Sequence, residues 1–387
     1  MNKQNQLTAI DNSNKPYIIY KSKKGFNLYT DFSKKIILNN KNIKNFLKKK
    51  FKSKTKKTDL FIGFFGYELL NNLINVKIPK QKNVNFPKGI FYKPEKIINL
   101  SNNLKYKSTE YVRNSNFKIN INKNSYTKIF DKFKKKIKSG ETYQIKICTK
   151  YKTKSKIDPL DFFSRLSHTN LAPEAFMIRD NNYSIISCSP ENLITKKGSN
   201  ISTKPIAGTV KKTKYLNKIK ALSYFRKNLK ETKEHNMIVD MERNDLSRIC
   251  KVGSVKLSKQ KIVEEYKDLF HYVSLIKGKL KKNINNYEII RAMMPGGSVI
   301  GCPKINTLNL LNNQEKENRN IYTGSFGYIK FNGDMRFNII IRSILNFKNI
   351  SEISVASGVV VDSNANHEFN ENFLKAKALI DLFKWFT

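Results

Sequence analysis

The stretch YTGSFGYIKFNGDMRFNIIIRS, at residues 322–343, indicates how this chain is built. Its apolar and aromatic residues predict one strand over residues 324–331 and another over residues 336–347. Outward from it, the chain alternates further strands with helices and shows no internal repeat. Further strands are predicted at residues 17–20, 27–29, 36–38, 143–151, 175–179, 184–189 and 354–361. Helices are predicted at residues 42–57, 126–139, 159–166, 215–243, 286–294, 304–313 and 368–385. We expect the α+β class, in one large domain.

The composition is that of a folded protein without a membrane segment. The chain has 387 residues, 39% of them hydrophobic, and only 16 glycines and 10 prolines, which argues against disorder or low complexity. The first 17 residues lack the apolar core of a secretion signal, and no apolar stretch reaches 18 residues. No CxxC pair occurs among its four cysteines, so neither a disulfide scaffold nor a zinc knuckle is indicated. We expect a cytoplasmic location.

A formal net charge of +44 raises the hypothesis of a nucleic-acid-binding protein. The lysines, however, are scattered over nearly every segment beside Asn and Ile. The densest basic run, at residues 46–57, lies outside any recognisable nucleic-acid-binding motif. Lys, Asn and Ile share A/T-rich codons, so a biased genome explains the composition without a selected partner. We expect no nucleic-acid partner and keep this function as a distant alternative.

Several segments depart from the Lys/Asn/Ile bias and contain residues with useful chemistry. They are SGETYQIKIC (139–148), SCSPENLI (187–194), TKPIAGTV (203–210), KETKEHNMIVDMERNDLSRI (230–249), HYVS (271–274), MPGGSVIGCPKI (294–305) and ASGVVVDSNANHEFNENFLKAKA (356–378), together with residues 322–343.

Two of these segments carry paired carboxylates. Glu231 and Glu234 are three residues apart on one predicted helix, and Glu368 and Glu371 have the same spacing on another. Residues at this spacing lie on the same helix face. Two such faces are a plausible Mg²⁺ site, since this ion prefers a few carboxylate oxygens with water and substrate completing the shell. Taken alone, each pair is more simply explained as exposed surface charge.

Other residues carry weaker signals when each is taken alone. Glycine turns such as Gly358 expose backbone N–H groups that can hold carboxylates. Arg342 follows a run of isoleucines and has the forked guanidinium suited to a carboxylate. Glu191 is a candidate general acid, and His235 and His271 are two of four histidines. A structural ion pair or an ordinary surface or core position explains each of them as well.

In combination, the motifs SPEN, PIAGT, EHNMIVDMERNDL and GGSVIGCPK resemble the chorismate-utilising enzymes. This family includes component I of anthranilate synthase, component I of aminodeoxychorismate synthase, and the isochorismate and salicylate synthases. The resemblance runs from about residue 60 to residue 378. It implies two stacked antiparallel sheets forming a sandwich with helices outside. We expect residues 1–122 to supply the N-terminal part of the sandwich and residues 123–387 the chorismate-binding catalytic region.

The resemblance also implies roles for individual residues. Glu234 and Glu371 would bind Mg²⁺, with Glu231 and Glu368 in support, and the ion would hold the ring carboxylate of chorismate. Glu191 would protonate the departing hydroxyl, with His271 nearby. The substrate carboxylates and the pocket wall are assigned to Arg342, Tyr328, Lys375, Gly358, Gly208 and Thr209.

The particular reaction is predicted from departures within the motifs. Gln144 stands where isochorismate and salicylate synthases carry a Lys that activates water, which favours ammonia as the nucleophile. GGSVIGCPK and the FN before Ile339 resemble aminodeoxychorismate synthase, and the segment before residue 60 lacks the LLES element of the tryptophan feedback site. Ala207 instead matches anthranilate synthase, because many aminodeoxychorismate synthases carry a Lys there. Aminodeoxychorismate synthase is the leading expectation and anthranilate synthase the alternative.

No cysteine lies in the nucleophile turn of a glutaminase. The resemblance therefore implies that ammonia comes from a separate glutamine amidotransferase subunit, in a heterodimer with this chain.

Overall fold

The computed structural model of the protein describes residues 3–22, 24–52, 55–76, 86–100, 104, 116–169, 172–266 and 269–384. The end of the helix predicted over residues 368–385 lies outside these residues.

Within the described residues the chain forms eighteen strands. They are β1 (Tyr17–Ser22), β2 (Gly25–Ile37), β3 (Leu60–Phe65), β4 (Gly89–Leu100), β5 (Lys118–Ile119), β6 (Gln144–Lys154), β7 (Glu174–Arg179), β8 (Tyr183–Ser189), β9 (Asn192–Lys197), β10 (Asn200–Lys204), β11 (Ile206–Lys211), β12 (Lys256–Glu265), β13 (Leu269–Lys279), β14 (Gly301–Cys302), β15 (Ser325–Lys330), β16 (Met335–Asn338), β17 (Ser343–Phe347) and β18 (Ile350–Val359).

The same residues contain ten α-helices, and none of these helices is long and apolar enough to cross a membrane. They are α1 (Lys3–Asn12), α2 (Ile43–Lys48), α3 (Tyr67–Leu73), α4 (Lys123–Lys138), α5 (Pro159–Thr169), α6 (Lys218–Lys227), α7 (Leu229–Ile249), α8 (Asn286–Met293), α9 (Lys304–Gln314) and α10 (Ala365–Ile380). Short 3₁₀ turns lie at Gly297–Val299 and Asp381–Phe383.

Asparagine, abundant in this chain, begins five of the helices. The side chain of the residue before each helix accepts a hydrogen bond from a backbone N–H of the first turn, which satisfies a donor that the helix itself leaves unpaired. These residues are Asn122, Asn217, Asn228, Asn285 and Asn364.

All strand pairings are antiparallel and join into one continuous hydrogen-bonded ladder. Its order is β6–β18–β17–β8–β7–β1–β2–β4–β3–β15–β16–β9–β10–β13, with β5 and β14 both paired to β6 and β11 and β12 both paired to β13. Strands of the first hundred residues therefore lie in the middle of the ladder, between strands from later in the chain.

The ladder folds over on itself, so that two layers face each other across a core. Phe176 of β7 and Phe326 of β15 are five strands apart in the ladder, yet their rings stack with centroids 3.8 Å apart. Tyr20 of β1 meets the edge of Phe326 at 5.1 Å. One buried cluster joins β1, β7 and β8 to β3 and β15 through side chains such as Ile18, Ile62 and Ile185. The predicted α+β class with packed antiparallel layers is confirmed.

Several predicted elements have different bounds in the structure. The strands predicted at residues 27–29 and 36–38 are one strand, β2 (Gly25–Ile37). The helix predicted over residues 42–57 ends at Lys48. The one predicted over residues 215–243 is two helices, because Asn228 adopts an extended conformation and caps α7. The strand predicted over residues 336–347 is interrupted after Asn338, and Arg342 has a φ of 53° just before β17 resumes.

Candidate active site

Helix α7 carries two carboxylates in its first turns, of which Glu234 reaches strand β6 and Glu231 lies beside Gly208 of β11. Asn228 accepts a hydrogen bond from the backbone N–H of Glu231, so the helix begins with that residue in its first turn. Glu234, one turn later, accepts hydrogen bonds of 2.8 Å from Gln144 Nε2 and from Lys146 Nζ on the same Oε1 atom. Gln144 and Lys146 reach one carboxylate because alternate residues of a strand point to the same face.

The contact with Lys146 determines the ionisation of Glu234. The ammonium group of Lys146 lowers the pKa of Glu234 to about 2, and this effect outweighs the burial that would raise it. Glu234 is therefore a carboxylate at neutral pH. Sequence reasoning missed Lys146, although its position two residues after Gln144 on a predicted strand placed it on the same face.

Helix α10 supplies a second group of carboxylates. Glu368 is buried and accepts a hydrogen bond from Ser363 Oγ. Glu371 forms an ion pair of 2.6 Å with Lys375, whose Nζ also donates to the backbone carbonyl of Ala356 in β18. His367, which sequence reasoning also missed, has a ring nitrogen within 4.8 Å of carboxylate oxygens of Glu368 and Glu371. The predicted pairing of Glu368 and Glu371 on one helix face is thus observed.

The donor chemistry of these two helices fits Mg²⁺. Among the described residues, His367, Glu368 and Glu371 form the one group of three potential metal ligands within reach of one another. Lys146 Nζ donates to Glu234 of α7 and borders Gly358 of β18. Ala356 of the same strand accepts from Lys375, which pairs with Glu371 of α10, so both helices meet the β6–β18 pair near these residues. Carboxylate oxygens are hard ligands of the kind that Mg²⁺ prefers. In addition, Gln144 Oε1 is buried and has no hydrogen-bond partner in the described part of the chain.

Arg342 presents a half-buried cation near Glu371. Burial lowers the pKa of its guanidinium, and Tyr322 and Glu371 offset part of this effect. Its side chain makes no hydrogen bond or ion pair within the residues that the structure describes. A positive charge that is partly removed from water and has no partner among the described residues favours an anionic ligand. Tyr322 packs beside Cys148 and Ala356 in a small apolar cluster at this position.

Tyr328 lies elsewhere. It lines a separate cavity of about 550 Å³, together with Tyr20, Thr195 and Arg336. Tyr328 belongs to the regular part of β15, where it pairs with Ile62, whereas Tyr322 precedes that strand. The structure therefore brings Tyr322, not Tyr328, to Arg342. The sequence offered no means of choosing between two tyrosines six residues apart.

Glu191 occupies the turn between β8 and β9 and is almost fully buried. Its Oε1 accepts a hydrogen bond of 2.8 Å from Ser298, another residue that sequence reasoning missed. Burial raises the pKa of Glu191 to about 7, and the Ser298 hydrogen bond and the Lys146 charge offset part of this effect. A carboxyl group with this pKa holds a proton for about half the time at neutral pH and can donate it.

Thr209 and His271 face each other across β11 and β13, where the register pairs them directly. Thr209 Oγ1 and His271 Nδ1 are 2.8 Å apart. Burial, followed by the charge of Arg342, lowers the pKa of His271 to about 4, so the imidazole is neutral at neutral pH. His235, by contrast, is fully buried and bonded to Ser274, which is a structural role.

Two glycines allow backbone and side chains to approach closely. Gly208 has a φ of 91°, and a Cβ there would lie 2.9 Å from the carboxylate of Glu231. Gly358 pairs with Lys146 across β18 and β6, and a Cβ there would lie 2.7 Å from Lys146 Nζ and 2.9 Å from Gln144 Nε2. Both predicted glycines therefore border the carboxylate cluster.

Residues 3–381 match the family described as chorismate binding enzyme. Over 66% of its length the chain is 35% identical to aminodeoxychorismate synthase component 1 of Bacillus subtilis (strain 168), of which it covers 54%. Over 84% of its length it is 32% identical to anthranilate synthase component 1 of Buchnera aphidicola, of which it covers 70%.

The crystal structure of anthranilate synthase component I from Streptococcus pneumoniae TIGR4 has the same fold. It superposes with a TM-score of 0.76 at 24% identity, over 94% of this chain and 90% of that one. The chain spans about half the length of the Bacillus relative. Fold and sequence together define an α+β protein of the chorismate-utilising class. The chain belongs to the chorismate binding enzyme family.

Proposed function

We propose that the protein is a component I of the aminodeoxychorismate synthase type. In this proposal it replaces the C4 hydroxyl of chorismate with an amino group from ammonia, giving 4-amino-4-deoxychorismate for p-aminobenzoate and folate synthesis. The observation that carries it is Arg342, a half-buried guanidinium without a partner among the described residues, which lies near Glu371 of α10. A dianionic substrate and a divalent cation between them balance both sets of charges.

Glu234 and Glu371 would hold Mg²⁺, with Glu231 and Glu368 in support, and the ion would supply positive charge to a substrate carboxylate. Arg342, Lys375 and the backbone at Gly358 bind substrate carboxylates. Lys375 of α10 donates a hydrogen bond to the carbonyl of Ala356 in β18, and this contact holds its ammonium in position for an anion.

The chemical step requires a proton donor, because hydroxide is a poor leaving group. Glu191, with a pKa of about 7, gives its proton to the C4 oxygen, which leaves as water. The nitrogen that forms the new C–N bond loses one proton, which restores the carboxylic acid. The neutral His271, fixed by Thr209, orients the hydroxyl by hydrogen bonding and adds no charge.

Gln144 supports ammonia rather than water as the nucleophile. Its Nε2 is committed to Glu234, and its Oε1 is the buried acceptor without a partner in the described residues. An amide oxygen cannot deprotonate water at neutral pH, but it accepts a hydrogen bond from an N–H of ammonia. Ammonia needs orientation and no activating base.

The GGSVIG segment supports the aminodeoxychorismate reaction in a local way. A Cβ at Gly296, where the anthranilate synthase version of the motif has Ala, would lie 2.7 Å from Ile339 Cδ1. Ile339 is fully buried and follows the FN dipeptide, so the two sequence features belong to one packing unit. A side chain at position 296 would therefore require the Ile339 side chain to shift.

Ala207 supports the alternative, anthranilate synthase. It is nearly buried on β11 next to Gly208 and carries no amine for a covalent bond to the ring. A chain of this kind would aminate at C2 and release pyruvate, giving anthranilate for tryptophan synthesis.

A separate glutamine amidotransferase is the proposed source of ammonia, in a heterodimer. Three of the four cysteines are buried, and burial raises the pKa of Cys148 and of Cys188 to about 12. Neutral buried thiols do not release ammonia from glutamine.

A product assay tests the proposal. The purified protein is incubated with chorismate, Mg²⁺ and a high ammonium concentration, with and without an aminodeoxychorismate lyase. We expect p-aminobenzoate only when the lyase is present. Anthranilate fluorescence and pyruvate without the lyase would instead establish the alternative. If neither product forms and chorismate does not bind, both proposals are wrong, and binding to random DNA that weakens steeply with salt would favour the nucleic-acid hypothesis.

A further inference from the structure

The ammonium group of Lys146 lies beside Glu234, where the proposed function places a bound metal ion. The side chain is mostly buried, and Nζ is 2.8 Å from Glu234 Oε1. On the other side it borders the backbone of β18, since a Cβ on Gly358 would lie 2.7 Å from Nζ. The ammonium thus lies between a carboxylate proposed to bind Mg²⁺ and the backbone proposed to bind a substrate carboxylate.

Two lysines pair with the carboxylates of this cluster. Lys146 Nζ is 2.8 Å from Glu234 Oε1 of α7, and Lys375 Nζ is 2.6 Å from Glu371 Oε1 of α10. The Lys146 side chain is the more buried of the two, at 12% exposed against 28%. Lys146 is therefore the cation held deepest among these carboxylates.

One oxygen of Glu234 cannot serve all of these partners at once. Glu234 Oε1 already accepts from both Gln144 and Lys146. A divalent cation at this oxygen would lie within a few ångströms of the ammonium, and two positive charges at that distance repel strongly in a buried site.

We propose that Lys146 is a tethered counter-ion of the carboxylate cluster, which a divalent cation must displace from Glu234 in order to bind. The inference rests on the proposed function through its metal site. It gives Lys146 a positioning role: the ammonium keeps the carboxylates compensated when no metal is bound, and it weakens metal binding relative to the same cluster without a lysine.

Direct binding of Mn²⁺, measured by electron paramagnetic resonance without chorismate, tests this inference independently of any product. The wild-type protein is compared with Lys146→Met, Lys146→Arg and Lys152→Met at pH 8. Lys152 lies on the same strand and contacts Glu317 and Glu352, roughly 20 Å along β6 from Lys146 at about 3.3 Å per residue, which makes it the matched control.

We expect Lys146→Met to bind Mn²⁺ on the order of tenfold more tightly than the wild type, because one positive charge has been removed from beside the ion. Lys146→Arg and Lys152→Met should stay within about threefold of the wild type. The double variant Lys146→Met/Glu371→Ala should lose the gain.

Equal or weaker Mn²⁺ binding by folded Lys146→Met would overturn the inference, as would the absence of binding in all variants. If the double variant binds Mn²⁺ as tightly as Lys146→Met, then Glu371 is not a ligand of the metal site. That outcome contradicts the proposed metal site and leaves the tighter binding of Lys146→Met as support for the role of Lys146. If Lys146→Met does not fold, trace acetylation of the wild type at pH 8, read by mass spectrometry, decides the question. Saturating Mg²⁺ should increase labelling of Lys146 and leave Lys152 unchanged, and unchanged or reduced labelling of Lys146 overturns the inference.

Discussion

Glu191 and Glu234 are two carboxyl groups whose pKa values are shifted in opposite directions by their surroundings. The ammonium of Lys146 lowers the pKa of Glu234 to about 2, while burial raises the pKa of Glu191 to about 7. Environments that separate the pKa values of two carboxyl groups assign them different roles. Glu234 is permanently charged and suited to a cation, whereas Glu191 can carry and release a proton.

Glu191→Gln should reduce kcat at least 100-fold, because the amide occupies the same space but cannot protonate the leaving oxygen. In the wild type, kcat/KM for chorismate should fall as the pH rises through about 7, where Glu191 loses its proton. Steady-state rates between pH 6 and 9 measure both effects. Glu265→Gln, an exposed carboxylate bonded to Lys212, is the control and should keep the wild-type profile.

The pH dependence of the stability of Glu191→Gln tests the raised pKa of Glu191 independently of activity. Since the folded pKa of Glu191 lies above the unfolded value near 4.5, the group stabilises the fold below pH 4.5 and loses this contribution as the pH rises through 7. At pH 8, Glu191→Gln should therefore exceed the wild type in free energy of unfolding by up to about 3 kcal/mol, with little difference at pH 4.5. Urea unfolding at the two pH values measures this, and equal differences at both would show that Glu191 is not desolvated.

At the level of elements, the site depends on where α7 begins. The sequence predicts one helix over residues 215–243, but Asn228 ends α6 and caps α7. After this break, Glu234 reaches β6 and Glu231 lies beside Gly208 of β11. Strands were easier to predict: those expected at residues 175–179 and 184–189 are observed at Glu174–Arg179 and Tyr183–Ser189, because their continuous apolar runs leave no competing conformation.

Asn228→Ala should lower the free energy of unfolding by about 1 kcal/mol, the usual effect of losing an N-cap. It should also weaken Mn²⁺ binding severalfold, because the cap holds the first turn that carries Glu231. Asn217→Ala removes the equivalent cap of α6 and is the matched control. We expect a similar loss of stability and unchanged Mn²⁺ affinity in the control. Equal metal affinity in the two variants would contradict the positional role of Asn228.

At the level of the whole molecule, the continuous antiparallel ladder places residues distant in sequence next to each other. β6 pairs with β18, which brings residues 144–146 to Gly358, and helices α7 and α10 meet this pair from elsewhere in the chain. The two layers are held together by contacts such as the stacked rings of Phe176 and Phe326. Layers held by such contacts unfold together, so the site depends on the packing of strands that do not line it.

Phe326→Ala should lower the free energy of unfolding by about 3–5 kcal/mol, because the aromatic ring is fully buried between the layers and its removal leaves a cavity. Urea denaturation monitored by circular dichroism measures the shift. Tyr215→Ala, which removes an aromatic ring that is 79% exposed, should change stability by less than about 0.5 kcal/mol. A small effect at Phe326 would contradict the packing of two layers.

Much of the candidate site could be predicted from the sequence, because short motifs fix both residue type and spacing. Glu368 and Glu371 needed only helical periodicity, and Gly358 only its place at the end of an apolar strand. Tyr328 shows the limit of this reasoning, since it lies in another cavity while Tyr322 lies beside Arg342. Ser298 and His367 were missed for the same reason: a hydroxyl or an imidazole gains a role only from what packs against it.

By itself, the sequence determined the α+β class, the family and the residues that can carry charge at the site. These features follow from residue type and spacing within short segments of the chain. Only the tertiary structure decided that Lys146 pairs with Glu234, that Arg342 is half-buried without a partner among the described residues, and that Glu191 has a pKa of about 7. Ionisation and pairing depend on burial and on charges contributed by distant strands and helices, and no local pattern contains that information.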